Sequence, residues 1–379
     1  MTTIDSQPQS ELSTEDVINA VHQRFSVDSE FMGENGSVEF YLTPNQKDTK
    51  AGFLSLHQLL AHYGKAAVFR RTDKGYFLVV VSKPPLSKQR LKIPLLLFTA
   101  TLVAVFIDGF WRASTSGDPT SPILSTSQDI TFALIYVAAL IGILGIHELG
   151  HKVSSWYHKM NSSWPYFIPG IPSVLPTFGA VIRAADLPPN RDALFDLGFS
   201  GPIAGLVVTV VVSVLAALSA HLIPISSFPA NTTFGGVDYY TSFLLGVFKP
   251  ASANQVVTGP LFQLLYFAYS FGFFVTFINL LPAWQLDGGH VTNSAVSPRV
   301  HQYLTYASIG IMLVTGLWLM AVLLLFFSGR VPAMKPLDDV SPLSNSRKVL
   351  FVLTFVLAAA IGGLVILNNP IFGLGLFRI

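Results

Sequence analysis

Six long apolar segments interrupt this 379-residue sequence and restrict what the chain can fold into. A helix that crosses a bilayer needs about 20 mostly apolar residues, and a spanning segment must satisfy its own backbone hydrogen bonds. The segments are 93–111, 130–157, 194–220, 261–281, 303–327 and 348–367. A shorter apolar run, 239–248, predicts a re-entrant or interfacial segment. We therefore predict a mainly α, polytopic protein of the lipid bilayer with about six transmembrane helices.

The composition supports a membrane class and excludes several others. Charged residues make up 12% of the chain, whereas soluble domains carry about 25%. Cysteine is absent, which excludes disulfides and cysteine-ligated zinc. The net charge of +2, without a dense basic run, argues against a nucleic-acid partner.

Residues 1–90 predict a small soluble domain, and residues 91–379 the transmembrane domain. Segments 16–25 and 53–62 have helical spacing, and 37–42, 66–70 and 76–81 are typical of strands. The result is an α+β module near the lower size limit for an independent core. It could gate access, bind a regulator or hold a substrate.

Lysine and arginine near the apolar segments predict the orientation, because cytoplasmic loops are enriched in them. The loops that carry most of them place the N-terminal domain in the cytoplasm (Lys83, Lys88, Arg90, Lys92; Lys152, Lys159, Arg183, Arg191). One loop on the predicted outer side disagrees (Arg330, Lys335, Arg347, Lys348). The first 23 residues lack lysine, arginine and an apolar core, which favours a prokaryotic plasma membrane over an organelle.

The second apolar segment contains the sequence His147-Glu148-Leu149-Gly150-His151. Residues four apart share a helical face, so both imidazoles can reach one metal ion, and neutral imidazole suits zinc. Glu148 is placed to act as a general base toward the attacking water. The alternative, a structural cluster, requires three ionisable groups in an apolar helix, at a cost of at least about 2.5 kcal/mol for one mid-bilayer charge. The sequence thus predicts one zinc ion per chain.

A third ligand is expected after the fourth apolar segment, because a catalytic zinc keeps three protein ligands and one open position. That segment runs in the same direction as the second, so its end reaches the same side of the membrane. Pro282 and the Gly288-Gly289 pair interrupt the helix there. Asp287 can then turn inward, and His290 is the competing ligand.

These motifs together resemble the site-2 proteases, a family of intramembrane zinc metalloproteases. The family pattern is H-E-x-x-H in one membrane helix and N-x-x-P-x-x-x-L-D-G near the end of a later one, here residues 279–288. The resemblance covers roughly residues 91–367. It implies that His147, His151 and Asp287 bind zinc, that Glu148 is the catalytic base and that Asn279 contacts substrate.

Two further segments extend the resemblance. Ser200-Gly201-Pro202 is similar to a close-packing element of the family. Segments 167–169 and 177–180 resemble a loop of the branch with a soluble N-terminal domain, which includes archaeal and plastid members. In the family this region forms strands near the active site, which implies that Gly179 contacts substrate. Trp284 departs from the pattern, since many relatives have a second proline there.

The expected function is cleavage of membrane-anchored proteins in or near their transmembrane segments. Two alternatives stay open at this point. A membrane zinc carrier needs ligands on several helices with reversible binding, and a non-catalytic scaffold needs no working base. Glu148 beside the first ligand favours hydrolysis over both.

Overall fold

The computed structural model describes residues 12–33, 36–44, 46, 48–73, 75–83, 91–115, 126–182, 184–227, 238–249 and 254–368. The helices are α1 (Thr14–His22), α2 (Thr49–His62), α3 (Lys92–Thr115), α4 (Thr126–Tyr157), α5 (Arg191–Ser219), α6 (Tyr239–Phe248), α7 (Pro260–Leu280), α8 (Asp287–Ala295), α9 (Pro298–Val314), α10 (Trp318–Ser328) and α11 (Asn345–Asn368). The strands are β1 (Val27–Met32), β2 (Val38–Leu42), β3 (Lys65–Thr72), β4 (Gly75–Ser82), β5 (Tyr166–Ile171), β6 (Leu175–Val181), β7 (His221–Pro224) and β8 (Gln255–Thr258).

The N-terminal domain is a four-stranded antiparallel sheet, in the order β1-β2-β4-β3, packed against α1 and α2. Strand β2 alternates buried and half-buried residues, and Val38, Phe40 and Leu42 face the core. Helix α1 begins with a capping box in which Ser13 and Asp16 bond each other's backbone N–H. The predicted α+β domain is confirmed. Its boundary at residue 90 falls in 84–90, outside the described residues, and stays a prediction.

Five described helices are long and apolar enough to cross a membrane, judged by length and composition: α3, α4, α5, α7 and α11. Helix α4 has 32 residues, so it is about 48 Å long and extends beyond a hydrocarbon core of about 30 Å. Helix α7 is the most enclosed, with 78% of its apolar window buried, and it packs against α3, α4, α5 and α11. The mainly α, multi-pass architecture is therefore confirmed.

The predicted fifth span, 303–327, is corrected by the structure. It is divided into α9 and α10 by a turn in which Gly316 has a φ of +81°, a conformation that glycine adopts without steric cost. The ends of α9 and α10 that lie away from this turn both reach Trp284. The backbone N–H of Trp284 donates to Thr305 of α9, and the Trp284 ring stacks on Phe327 of α10. Ten residues separate each contact from the turn, about 15 Å of helix. The pair is thus a re-entrant helical hairpin.

This hairpin removes the disagreement in the distribution of basic residues. Because α9 and α10 go in and return, the loop with Arg330, Lys335 and Arg347 lies on the side of the N-terminal domain. All described basic clusters near the spans then share that side, as the positive-inside rule expects. Lys88, Arg90 and Arg183 lie outside the described residues.

The N-terminal domain is docked onto the membrane domain through residues 337–341. Phe69 of β3 bonds Leu337 and Asp339 through its backbone N–H and C=O, and Leu337 joins the domain's core. On its other side the segment bonds residues 188 and 189, just before α5. Ion pairs add to the interface, with Lys50 Nζ 3.0 Å from Asp192. The bridge between Phe69 and Asp338 thereby covers the edge strand β3 at this point.

The hairpin predicts which positions share one face of the membrane. The chain lacks cysteine, so single cysteines can replace three exposed residues: Gln23, Lys335 and Ser226. In oriented vesicles, a membrane-impermeant maleimide should label Gln23→Cys and Lys335→Cys from the same side and Ser226→Cys from the other. Labelling of Lys335→Cys together with Ser226→Cys would instead restore a continuous fifth span.

Candidate metal centre

Helix α4 carries the two histidines and the glutamate of the motif on its inward side. His147, Glu148 and His151 are 4%, 6% and 9% exposed. The Nε2 atoms of the two histidines are 3.2 Å apart. Two imidazole nitrogens this close cannot both carry protons toward each other, so at least one of them presents a lone pair, as a metal ligand must.

Asp287 arrives from a different element. Helix α7 ends at Leu280, the chain turns through residues 281–286, and Asp287 is the first residue of α8. Its carboxylate oxygens lie 3.2 Å from Nε2 of His147 and 3.3 Å from Nε2 of His151. Gly288 and Gly289 allow this turn because an added Cβ would meet the backbone of 280–281 and 283–284. The expected helix break is present at 281–286, which contains Pro282, whereas the glycine pair, expected to interrupt the helix, lies within α8.

Hydrogen bonds orient the site. Nδ1 of His151 is 2.7 Å from the carbonyl oxygen of Leu197 on α5. This bond assigns the proton to Nδ1 and directs the lone pair of Nε2 toward Asp287 and His147. The side-chain amide of Asn279 lies 3.3 Å from Nε2 of His147, so Asn279 borders the same cluster.

Close packing between α4 and α5 sets the positions of the imidazoles. A Cβ added at Gly201 would collide with the His151 ring, and one at Gly205 would lie 3.0 Å from Cβ of His147. A Cβ at Gly198 would collide with the backbone carbonyl of Asp287. Gly201 belongs to the Ser200-Gly201-Pro202 element, which here is in direct contact with a predicted ligand.

The donor set fits zinc. One ligand atom from each of His147, His151 and Asp287 lies within 4.8 Å of the others. Two imidazoles and one carboxylate are a usual set for a catalytic zinc, which keeps a fourth position open. His290 lines the same cavity but is not among the three residues whose ligand atoms converge.

A cavity of about 490 Å³ opens onto this cluster. One wall is the end of β6 and the chain after it, where Ala180, Val181, Ile182 and Ala184 line the space. Gly179 precedes this wall and bends the strand, with a φ of +92°. The structure therefore brings Asn279 and Glu148 together with the three candidate ligands, and it places Gly179 one residue before the cavity.

A further part of the cavity lining was missed by the sequence analysis. Residues 331–334 are named here the strap, and Met334 of the strap lines the cavity. Three side chains donate to strap carbonyl oxygens: Trp284 to Val331 at 2.7 Å, Gln285 to Pro332 at 3.1 Å, and Asn293 to Met334 at 2.6 Å. Trp284 has a φ of +41°, which is uncommon for a bulky residue and is typical of functional sites. Its departure from the proline pattern was the available signal.

Fold and site together define a class: a multi-pass membrane protein with a buried cluster of two imidazoles and a carboxylate. Residues 135–323 match Peptidase family M50. The chain therefore belongs to this family, the site-2 protease family, and the resemblance drawn from its motifs is confirmed.

Curated relatives give the same result. "Probable zinc metalloprotease EGY1, chloroplastic" of Arabidopsis thaliana is 28% identical over 255 residues, 63% of this chain and 44% of that protein. The EGY1 protein of Oryza sativa subsp. japonica is 27% identical over 318 residues, 76% of this chain and 53% of that protein. The matches thus span about half the length of these relatives. No solved structure matches the chain significantly.

The geometry predicts how zinc content responds to substitution. His151→Ala and Asp287→Ala each remove one convergent ligand, so zinc bound per chain should fall well below one, as elemental analysis after dialysis measures. His290→Ala is the matched control, from the same cavity, and should keep its zinc. Loss of zinc in His290→Ala with retention in Asp287→Ala would assign the third ligand to His290.

Proposed function

We propose that this chain is a zinc metalloprotease that cleaves membrane-anchored proteins in or near their transmembrane segments. The observation that carries the proposal is a three-ligand cluster, His147, His151 and Asp287, with a buried glutamate beside it in a cavity between apolar helices. The family and the names of the relatives support the hydrolase class.

The residues divide the chemistry among them. When bound, zinc lowers the pKa of a water molecule to about 7 and polarises a carbonyl group. The Glu148 carboxylate accepts the proton of the attacking water and then donates it to the departing amine. The Leu197 carbonyl holds the His151 ring in place. Asn279 is positioned to donate a hydrogen bond to the substrate backbone beside His147.

The substrate must reach this site in an extended conformation. A helix hides its carbonyl groups in internal hydrogen bonds, and these must be released before a bond can be cut. In the two-stranded sheet, β5 pairs with one edge of β6. The other edge of β6 can pair with an unwound segment by β-augmentation. Gly179 bends the strand where its edge meets the cavity, which supports a role in substrate contact.

The orientation and location belong to the same proposal. The N-terminal domain and the metal centre share one side, and the basic residues near that side support the cytoplasm. The prokaryotic plasma membrane stays a prediction, and the relatives are named as chloroplastic.

Glu148→Gln is the sharpest test of hydrolysis. The change keeps size and removes basicity, so zinc should stay bound, because His147, His151 and Asp287 are untouched. Single-turnover cleavage of a single-spanning reporter that the wild-type chain cuts should fall by at least about 100-fold, the scale of losing a general base. Zinc content and cleavage should be measured on one preparation.

The matched control is the double variant Glu148→Gln with Gln285→Glu, which adds a carboxylate elsewhere in the same cavity. It should cleave the reporter no faster than Glu148→Gln alone. Near wild-type cleavage by Glu148→Gln would contradict the proposal. If the wild-type chain instead moved zinc into proteoliposomes and cut no reporter, the carrier alternative would hold. A chain that did neither would be a scaffold.

A further inference from the structure

A fully buried carboxylate lies in α3, far from the metal centre. Asp108 is 0% exposed and comes 16 residues after Lys92, the first residue of α3, so it lies about 24 Å along the helix from the N-terminal domain's side. It is therefore an ionisable group at depth in the membrane domain. Such residues are rare there and mark functional sites by default.

Both carboxylate oxygens of Asp108 accept hydrogen bonds. Oδ2 accepts from the Arg112 guanidinium at 2.7 Å and from the Tyr136 hydroxyl at 2.8 Å. Oδ1 accepts from the backbone N–H of Ser173 at 2.7 Å. Arg112 in turn lies 3.8 Å above the centre of the Phe267 ring. Asp108 thus joins α3 to α4 and to the chain at Ser173, and its partner Arg112 reaches α7.

Ser173 is in the turn between β5 and β6 and has a φ of +68°. From this turn, β6 runs through seven residues to Val181 in the cavity wall, a length of about 23 Å. Asp108 therefore holds the far end of the strand whose near end reaches the metal centre.

The β-hairpin formed by β5 and β6 needs such an anchor. A two-stranded hairpin is marginally stable by itself, and the β5–β6 pairing shifts register between Phe167 and Pro169. Slippage by two residues would move the edge by about 7 Å and leave the same side chains facing the same way. Packing of α3 on α4 does not require the charge, since Gly109 already contacts the Tyr136 ring. A buried ion pair is also weak evidence for stability, because apolar replacement is often neutral.

We propose that Asp108 is a positioning residue that fixes the depth and register of β6 and thereby sets which substrate bond reaches the metal centre. The inference rests on the proposed proteolytic function, but its anchoring part can be measured without proteolysis.

The first arm measures the distance between the β5–β6 turn and α3 in the zinc-loaded, full-length chain. Spin labels at Val174→Cys in the turn and Val103→Cys on α3, both exposed, report their separation in a chain otherwise free of cysteine. Wild type should give one narrow distance distribution. Asp108→Asn leaves one accepting oxygen for the three donors on Arg112, Tyr136 and Ser173. It should therefore broaden the distribution, with zinc content unchanged.

The second arm maps the cleaved bond by mass spectrometry, using a single-spanning reporter that wild type cuts at one position. Asp108→Asn should add cuts at neighbouring bonds and raise KM more than it lowers kcat. A merely structural role would reduce the amount of active protein without moving the cut. If Asp108→Asn does not fold, the pair Asp108→Leu with Arg112→Leu removes both charges together and should release the turn in the same way.

Two controls isolate the contact. Ser173→Gly keeps the backbone N–H and suits the positive φ, and Asp129→Asn removes another buried aspartate, on α4. Both should behave as wild type in both arms. An unbroadened distance in both Asp108 variants overturns the anchor, and a broadened distance with an unmoved cut overturns the positioning role. If no reporter is cut by wild type while the distance broadens, the proteolytic function and the positioning role fail and the anchor stands.

Discussion

The metal centre depends on the close approach of α4 and α5. The three glycines at 198, 201 and 205 leave room for the His151 ring, the His147 side chain and the backbone of Asp287. The Leu197 carbonyl then fixes the His151 ring. Because this contact is made by glycines, a single added methyl group would displace a ligand. Helix α7 packs against both α4 and α5. The turn after α7 then places Asp287 beside the two imidazoles.

Much of this arrangement follows from local sequence. The four-residue spacing of His147 and His151 places them on one face of any helix, and the helix breaks after α7 bring Asp287 or His290 within reach. The structure selects Asp287 as the residue whose ligand atom converges with the imidazoles. Sequence alone left the two open, because three residues in a turn can change which side chain points inward.

Other parts could not be derived. Hydropathy alone predicts 303–327 as one span, because the residues on both sides of Gly316 are mostly apolar and a single glycine does not interrupt the run. The docking of the N-terminal domain pairs Phe69 with Leu337 and Asp339, 268 and 270 positions away along the chain, through backbone groups that any residue carries. The strap is held instead by side chains that donate to its backbone carbonyls. Such contacts leave little pattern in one sequence, although Trp284 was a visible irregularity.

The strap connects the site to the docked domain. Met334 lines the cavity, and the chain leads from it within three residues into 337–341, which the N-terminal domain binds. The β6 wall is tied at its far end to Asp108. The cavity is therefore bounded by one wall joined to the soluble domain and one joined to the membrane helices.

X-ray absorption at the zinc K edge tests most directly whether two imidazoles and one carboxylate hold a zinc ion in this chain. The purified, zinc-loaded chain should show two imidazole nitrogens at about 2.0–2.1 Å and oxygen in the remaining positions. A shell with three imidazoles would place His290 on the metal, and a shell of oxygens without imidazole would contradict the site altogether.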